Sequence, residues 1–563
     1  MKQASKYYLL LGLISCLIAW GMFTNFSTDI EIPYGYDGDS LFYLWVIKRV
    51  VEGSYFFNTY TGYPFGSDFF DFPGSDAGSL FIFWLLSPLK NPGTIFNLYF
   101  YISLILSTWS FFYVCKKMKI DDTLCFTGAL IYSLVAFHFL RIPHLFYLMY
   151  FVVPFYFWFC WLLYTEKRPI WVSNKSRIKN SLLLIILSSF GVYYAFFASL
   201  ILVISGVMGA YYHRSLKNLY SAILCVFMLS AGVLINVGPN IIYNVKNGTN
   251  SEMARRSPVE SEVYGLKLTQ LILPNYQYRI RPIAGKITAY FSSFPLNNEN
   301  MTSSLGLFGS LGFLVGLWGF ILNPSFVSKN KTLYLFAAMN LCMLLFATIG
   351  GFSTLFSVLI TPLIRGWNRI SIFISFSSIT ILLIAFEQVT NKMNKNNKIL
   401  LCSLVVIICS FDQIPRFCKE CFKTNKQTYN IDKSFTEEIE KLVPNGSIYQ
   451  IPYMPFHGNP PIHMLGDYML FKGYLHSNNL KWSYGGTKGR NGDQFYKKLS
   501  EQPIQKQFEE IKKMSFSGIY VDRRGFVDNG KQIEEELQQI TRSSPIISAD
   551  NTRSFFVIDN TSW

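Results

Sequence analysis

Charge is scarce in this chain. Of its 563 residues, 15% are Asp, Glu, Lys or Arg, against 51% hydrophobic and 17% aromatic, and mean hydropathy is positive at +0.26. That balance excludes a soluble protein throughout its length, because apolar runs of roughly 20 residues match a hydrocarbon core of about 30 Å. Acids are scarcer than bases, and the net charge is +16. In a soluble protein the surplus would point to nucleic acid, but here Lys and Arg sit mostly in short loops between apolar runs, which is the positive-inside pattern. Histidine is also rare, and His457, His463 and His476 lack the paired spacing of a helical zinc site. No P-loop or nucleophile elbow is present. No internal repeat or low-complexity tract occurs. Eight of the ten cysteines lie in or beside apolar runs, as small packing residues. Cys418 and Cys421 in FCKECFK have CxxC spacing but no second pair to complete a zinc site. Two unlinked thiols are the expectation there, with a disulfide as the alternative.

What the chain does have is a consistent membrane path. Lys2 and Lys6 keep the N-terminus inside while about 7–23 crosses outward. No small-x-small cleavage site follows, so this run reads as a retained helix. A long acidic loop, about 25–79, then belongs outside, and the short apolar segment at about 80–89 reads as a helix on the outer surface. Further spans follow at about 94–115, 123–140 and 143–164. The run 181–212 has basic flanks and is too long for one span, so it splits into two turning near GVYYAF. Spans at about 219–243, 305–322, 332–349, 369–387 and 398–411 complete a set of about eleven. A second large outer loop occupies about 245–304, and residues 413–563 form an extracytoplasmic domain. There SIYQIPY, FSGIYVDR and RSFFVID read as strands, and EEIEKL and GKQIEEELQQI as helices, giving an α/β or α+β fold.

The chemistry concentrates in the first outer loop. Its opening YGYDGDSLFYLW places Asp37 and Asp39 as a D-x-D just past the first span, preceded by Tyr34 and Tyr36. Asp37 is flanked by Tyr36 and Gly38 in the least helical part, whereas Asp39 opens SLFYLWVIKRV and suits its N-terminal cap. Further on, TGYPFGSDFFDFPGSD carries Asp68, Asp71 and Asp76 among Phe, Pro and Gly, a turn-rich aromatic surface at the membrane boundary. Cations expected at that boundary are Arg141 and His144 in LRIPHLFY, then Arg255, Arg256, Arg279 and Arg281, and Arg365 and Arg369 in LIRGWNRIS. Arg pairs bidentately with phosphate while its stem lies along lipid. For any one of these arginines, a headgroup anchor is the plainer reading. In the tail, GYLHSNNLKWSYGGTKGRNGDQF suits stacking on sugar faces, or equally a structural loop.

These features together resemble the GT-C superfamily of membrane glycosyltransferases. The resemblance lies in the inside N-terminus, the acids soon after the first span, the outer juxtamembrane helix and the soluble domain after many spans; its residue-level motif is the short YDGDS. It implies a polytopic α-helical enzyme of a bacterial inner membrane that moves a sugar from a polyprenyl-phosphate donor to a cell-surface glycan or lipid-linked acceptor on the outer side. Asp37 first, or else Asp39, would be the base of an inverting transfer. Asp68, Asp71, Asp76, Tyr36 and His144 would bind acceptor or substrate. The donor phosphate would fall to Arg369 first, then Arg365, Arg141, Arg279 and Arg281. A monophosphate leaving group reduces the need for a metal, so no cofactor is expected, with Mg²⁺ or Mn²⁺ as the alternative. The rival readings are a transporter or flippase of lipid-linked sugars, which would carry charges within helix interiors, and a noncatalytic envelope-assembly protein.

Overall fold

The computed structural model describes residues 2–166, 171, 173–253 and 256–559; Arg255 lies outside them. Helix α1 (Lys2–Thr24) is followed in the first long loop by α2 (Asp39–Val51), the paired strands β1 (Phe57–Asn58) and β2 (Ser67–Asp68), and α3 (Ala77–Leu86). Next come α4 (Pro92–Lys117), α5 (Asp122–Ser133), α6 (Val152–Thr165), α7 (Asn174–Leu187), α8 (Val192–His213) and α9 (Lys217–Asn247). The bundle ends with α10 (Gly306–Ile321), α11 (Lys331–Ala347), α12 (Ser371–Thr390) and α13 (Lys395–Gln413).

Among the described residues, 8 stretches are long and apolar enough to cross a membrane. They carry α1, α4, α5, α6, α8, α9, α12 and α13. The other three expected spans coincide with shorter helices, α7 of 14 residues, α10 of 16 and α11 of 17. The apolar run 181–212 does divide in two, with the turn at Ser188–Gly191 just ahead of the expected position. The chain is a multi-pass, mainly helical membrane protein.

Beyond α14 (Lys419–Leu442) lies the small sheet domain. Its strands β3 (Ser447–Ile451), β4 (Lys481–Trp482), β5 (Gly518–Asp522), β6 (Ile546–Ile547) and β7 (Arg553–Val557) run in the order β4-β3-β5-β7-β6. The β3 pairings to β4 and β5 are parallel, and β7 is antiparallel to β5 and β6. The three longest strands are those expected from SIYQIPY, FSGIYVDR and RSFFVID. Every residue of β3 and β5 is buried, as in a sheet covered on both faces. Side chains alternate across it: Ile448 and Tyr520 join the core continuous with the membrane helices, while Tyr449, Ile451, Ile519 and Val521 form a second core on the other face.

This domain is bound to the first loop by backbone. Trp482 N–H donates to Tyr60 O at 2.8 Å, and Tyr63 N–H donates to Trp482 O at 3.0 Å. The cysteine expectation is corrected: Cys418 and Cys421 are joined, with Cα atoms 5.2 Å apart. Cys418 holds the N-cap position of α14 and accepts from Cys421 N–H. One helical turn therefore brings the two sulfurs together.

Candidate functional site

The site is built on the first turn of α2. Gly38, at φ 50°, occupies the N-cap position. A conformation that side-chain-bearing residues rarely adopt turns the chain abruptly into the helix there. Asp39 is therefore the first helical residue and not the cap, and no side-chain cap bond forms. Its carboxylate also lies at the helix end that favours negative charge. Asp39, Phe42 and Tyr43 fall on one face of α2, because residues three and four apart are neighbours on a helix.

Opposite Asp39 stands His144, with Nε2 3.1 Å from Asp39 Oδ2. His144 interrupts a 3₁₀ segment with non-helical backbone (φ -109°, ψ 61°), directly after Pro143. The same Nε2 is 3.5 Å from Glu299 Oε2. Glu299, from the long loop between α9 and α10, is the hub of the cluster. It accepts from Arg141 Nη1 at 2.7 Å and Arg369 Nη2 at 3.2 Å, and from Asn368 Nδ2 at 3.1 Å. Burial alone would raise the Glu299 carboxyl, but Arg369, Arg141 and His144 outweigh it and hold the group well below the usual carboxylate range. Arg369 also donates to the Tyr147 hydroxyl, and its guanidinium sits 4.2 Å and 4.3 Å from the Tyr147 and Tyr193 ring centres.

A second pair of arginines lies beside this cluster. Arg365 Nη1 is 2.9 Å from Glu260 Oε2, and Arg256 Nη1 is 3.8 Å from the same oxygen. The Arg365 backbone N–H donates to the Tyr193 hydroxyl at 3.4 Å, which joins the pair to Arg369. Two guanidiniums share one carboxylate here. Both arginine side chains remain partly exposed, whereas that of Arg369 is only 8% exposed.

The sheet domain supplies a roof over α2. The His457 ring lies 4.5 Å from Phe72 and 6.0 Å from Phe42, and Tyr468 lies 5.5 Å from Phe42. Burial pushes the His457 imidazole down to about 4 and the neighbouring Asp467 carboxyl up to about 6. Asp76, at the N-cap position of α3, makes no capping bond, and burial pushes its carboxyl up to about 7. Its charge reaches Tyr43 on the Asp39 face of α2.

The sequence-predicted residues thus divide. Asp39, His144, Arg141, Arg369 and Arg365 converge, and Asp76 approaches them. Asp37 is exposed one residue before the Gly38 turn, with Oδ1 accepting from Gly38 N–H at 2.8 Å. Tyr36 is buried, hydrogen-bonded to His476 Nε2 at 2.7 Å under the Lys472 ammonium. Asp68 accepts from the Tyr243 hydroxyl at 3.1 Å. Asp71 is held bidentately by Arg490, at 2.7 Å to each oxygen. Arg279 donates to the carbonyls of Ile414, Met22 and Pro415. Arg281 opens an exposed helix, Arg281–Ser293.

Glu299, Glu260 and the roof residue Asp467 escaped the sequence reading, and His457 was weighed there only as a zinc ligand. The available signal for Glu299 was indirect: boundary arginines need a counter-charge, and the long loop offers few acids. Among the described residues, no group of three or more His, Cys, Asp or Glu converges as a metal site would require.

No family model matches the chain, and no curated protein matches it. Among solved structures, it is similar to the crystal structure of ArnT from Cupriavidus metallidurans bound to undecaprenyl phosphate. The TM-score is 0.45 at 10% identity, over 99% of each chain.

Proposed function

We propose that this chain is a GT-C-like glycosyltransferase of a bacterial inner membrane, taking a sugar from a polyprenyl-phosphate donor on the outer side and passing it to a glycan or lipid-linked acceptor. The observation that carries this reading is the partly exposed Asp39 carboxylate, fixed at a helix start 3.1 Å from His144, in a cluster joined through Tyr193 to two arginines that share one acid. A base and an anion-binding pair are the two devices an inverting transfer from a lipid phosphate requires.

In this reading Asp39 takes the proton of the attacking acceptor hydroxyl as that oxygen bonds to the anomeric carbon. The bond to the phosphate oxygen breaks with inversion, through an oxocarbenium-like state. The departing phosphate monoester is already anionic, so it needs cations and no proton. Arg365 and Arg256 retain exposed surface for that role and bind phosphate oxygens in fork geometry. Arg369 and Arg141 are committed to Glu299, and they position His144 and so Asp39. We take the reaction as metal-independent, the guanidiniums serving the phosphate.

The test uses membranes supplied with radiolabelled polyprenyl-phosphate sugar. Asp39→Asn is expected to lower transfer by about 10²–10⁴-fold, the range for a positioned general base, while Asp37→Asn leaves it near wild type. Wild-type transfer by a normally inserted D39N protein would overturn the assignment.

A further inference from the structure

A groove lies between helices that carry none of the residues of the Asp39 cluster. Helices α1, α5 and α13, from three distant parts of the chain, enclose a groove of about 440 Å³. Its walls are three helical stripes, running from Tyr7 to Ile18, from Thr123 to Leu130 and from Lys395 to Ile407. At a rise of about 1.5 Å per residue, the α1 stripe is about 16 Å long. That is close to half of the roughly 30 Å hydrocarbon core. The groove is one leaflet deep, with a polar mouth and an apolar interior.

The mouth has a definite charge. Asp122 is paired with Lys116 at 3.0 Å, and Asp121 with Lys398 at 3.0 Å. Both acids are thereby neutralised. Lys395 lines the groove and Lys6 immediately precedes Tyr7; among the described residues neither forms an ion pair, and both are exposed. An apolar groove of one-leaflet depth, with two lysines outside any ion pair at its charged end, fits a phospholipid whose head carries net negative charge. We propose that this groove holds an anionic glycerophospholipid, one acyl chain between α1, α5 and α13 and the phosphate at Lys6 and Lys395. Basic clusters where helices leave the bilayer attract such headgroups by about a factor of five per lysine. The site is independent of the catalytic reading.

The experiment is native mass spectrometry of the full-length protein released from phosphatidylcholine vesicles doped equally with phosphatidylglycerol and phosphatidylethanolamine. Wild type should retain one phosphatidylglycerol. Lys6→Gln with Lys395→Gln should reduce that retention by about 25-fold relative to phosphatidylethanolamine. Ser403→Trp, at an exposed position on the groove wall, should abolish retention of either lipid while leaving thermal unfolding unchanged. Equal retention of the two lipids by wild type, undiminished phosphatidylglycerol on S403W, or a co-purifying membrane protein in place of lipid would each overturn the proposal.

Discussion

Replacing Glu299 by Gln keeps the shape of the hub and removes its charge. Arg141 and Arg369 have side chains 1% and 8% exposed, so neither can turn to water once its counter-ion is lost. Breaking a buried pair from one side costs about 3–5 kcal/mol, because an uncompensated charge stays behind. Two guanidiniums depend on this one carboxylate, which pushes the cost upward. Some bonds survive: the Glu299 backbone carbonyl still accepts from Arg141 Nη2 at 3.0 Å, and Asn368 Oδ1 still accepts from Arg141. The two corrections oppose each other, so a loss of about 4 kcal/mol is expected. Buried thiols such as Cys115, Cys160 and Cys225 provide the assay, since a thiol-reactive dye reports unfolding in detergent. Glu510→Gln, which breaks an exposed pair with Lys513, is the control and should leave the melt unchanged. If E299Q melted with E510Q, the cluster would contribute no more than a surface salt bridge, and its role in fixing His144 would fall with it.

Other outcomes follow from single observations. Asp76 has a folded-state value near 7, above its ordinary 3.8, so its ionisation opposes folding; wild-type stability should decline as pH rises from about 4 to about 7. Asp76→Asn should flatten that part of a melting-temperature profile and be the more stable protein at pH 8, and a parallel decline in both proteins would refute the assignment. Asp71→Asn releases Arg490, which is 21% exposed and can reach water, so the loss should be about 2–3 kcal/mol, below the full buried-pair range. It should appear first as faster proteolysis between the first loop and the sheet domain. In α10, a Cβ at Gly312 would lie 2.0 Å from the Ser378 carbonyl oxygen of α12. Close helix contact in a membrane needs small residues, so Gly312→Val should sharply lower the yield of folded protein on size exclusion, whereas a change at the exposed Leu311 should not.

Much of the bundle was legible because hydropathy and loop charge are local properties. The turn at Ser188–Gly191 follows from one overlong apolar run between basic flanks, and α3 from a run too short to cross. The strands of the sheet domain showed as short apolar segments, although their order, with β4 beside β3 and β7 between β5 and β6, is set by long-range pairing that no window reveals. The first loop was read as an acidic outer loop, yet its two basic residues, Lys48 and Arg49, are buried in it. The Lys48 ammonium donates to the carbonyls of Tyr474 and Ser477, and Arg49 grips Ser67. Their partners lie up to hundreds of residues away. The joined Cys418 and Cys421 had the right spacing in the sequence, but the decisive fact is that Cys418 starts a helix.

The same distinction is why the proposed base is Asp39 and not Asp37. By sequence, Asp37 looked the freer group and Asp39 a helix cap. Which residue caps depends on where the turn falls, and Gly38 takes that position. A capping carboxylate would point back onto backbone N–H groups; as the first helical residue, Asp39 points outward and meets His144 instead. Behind His144, one acid restrains two arginines, and beside it another acid restrains two more. Four guanidiniums against Glu299, Glu260 and Asp39 leave one positive charge in surplus. Because Arg141 and Arg369 are enclosed, that surplus can be presented only by Arg365 and Arg256. A single outward cationic charge beside a carboxylate is complementary to the singly charged phosphodiester that joins lipid and sugar in the proposed donor. In the proposed function the donor phosphate therefore falls to Arg365, four residues before the Arg369 that the sequence favoured.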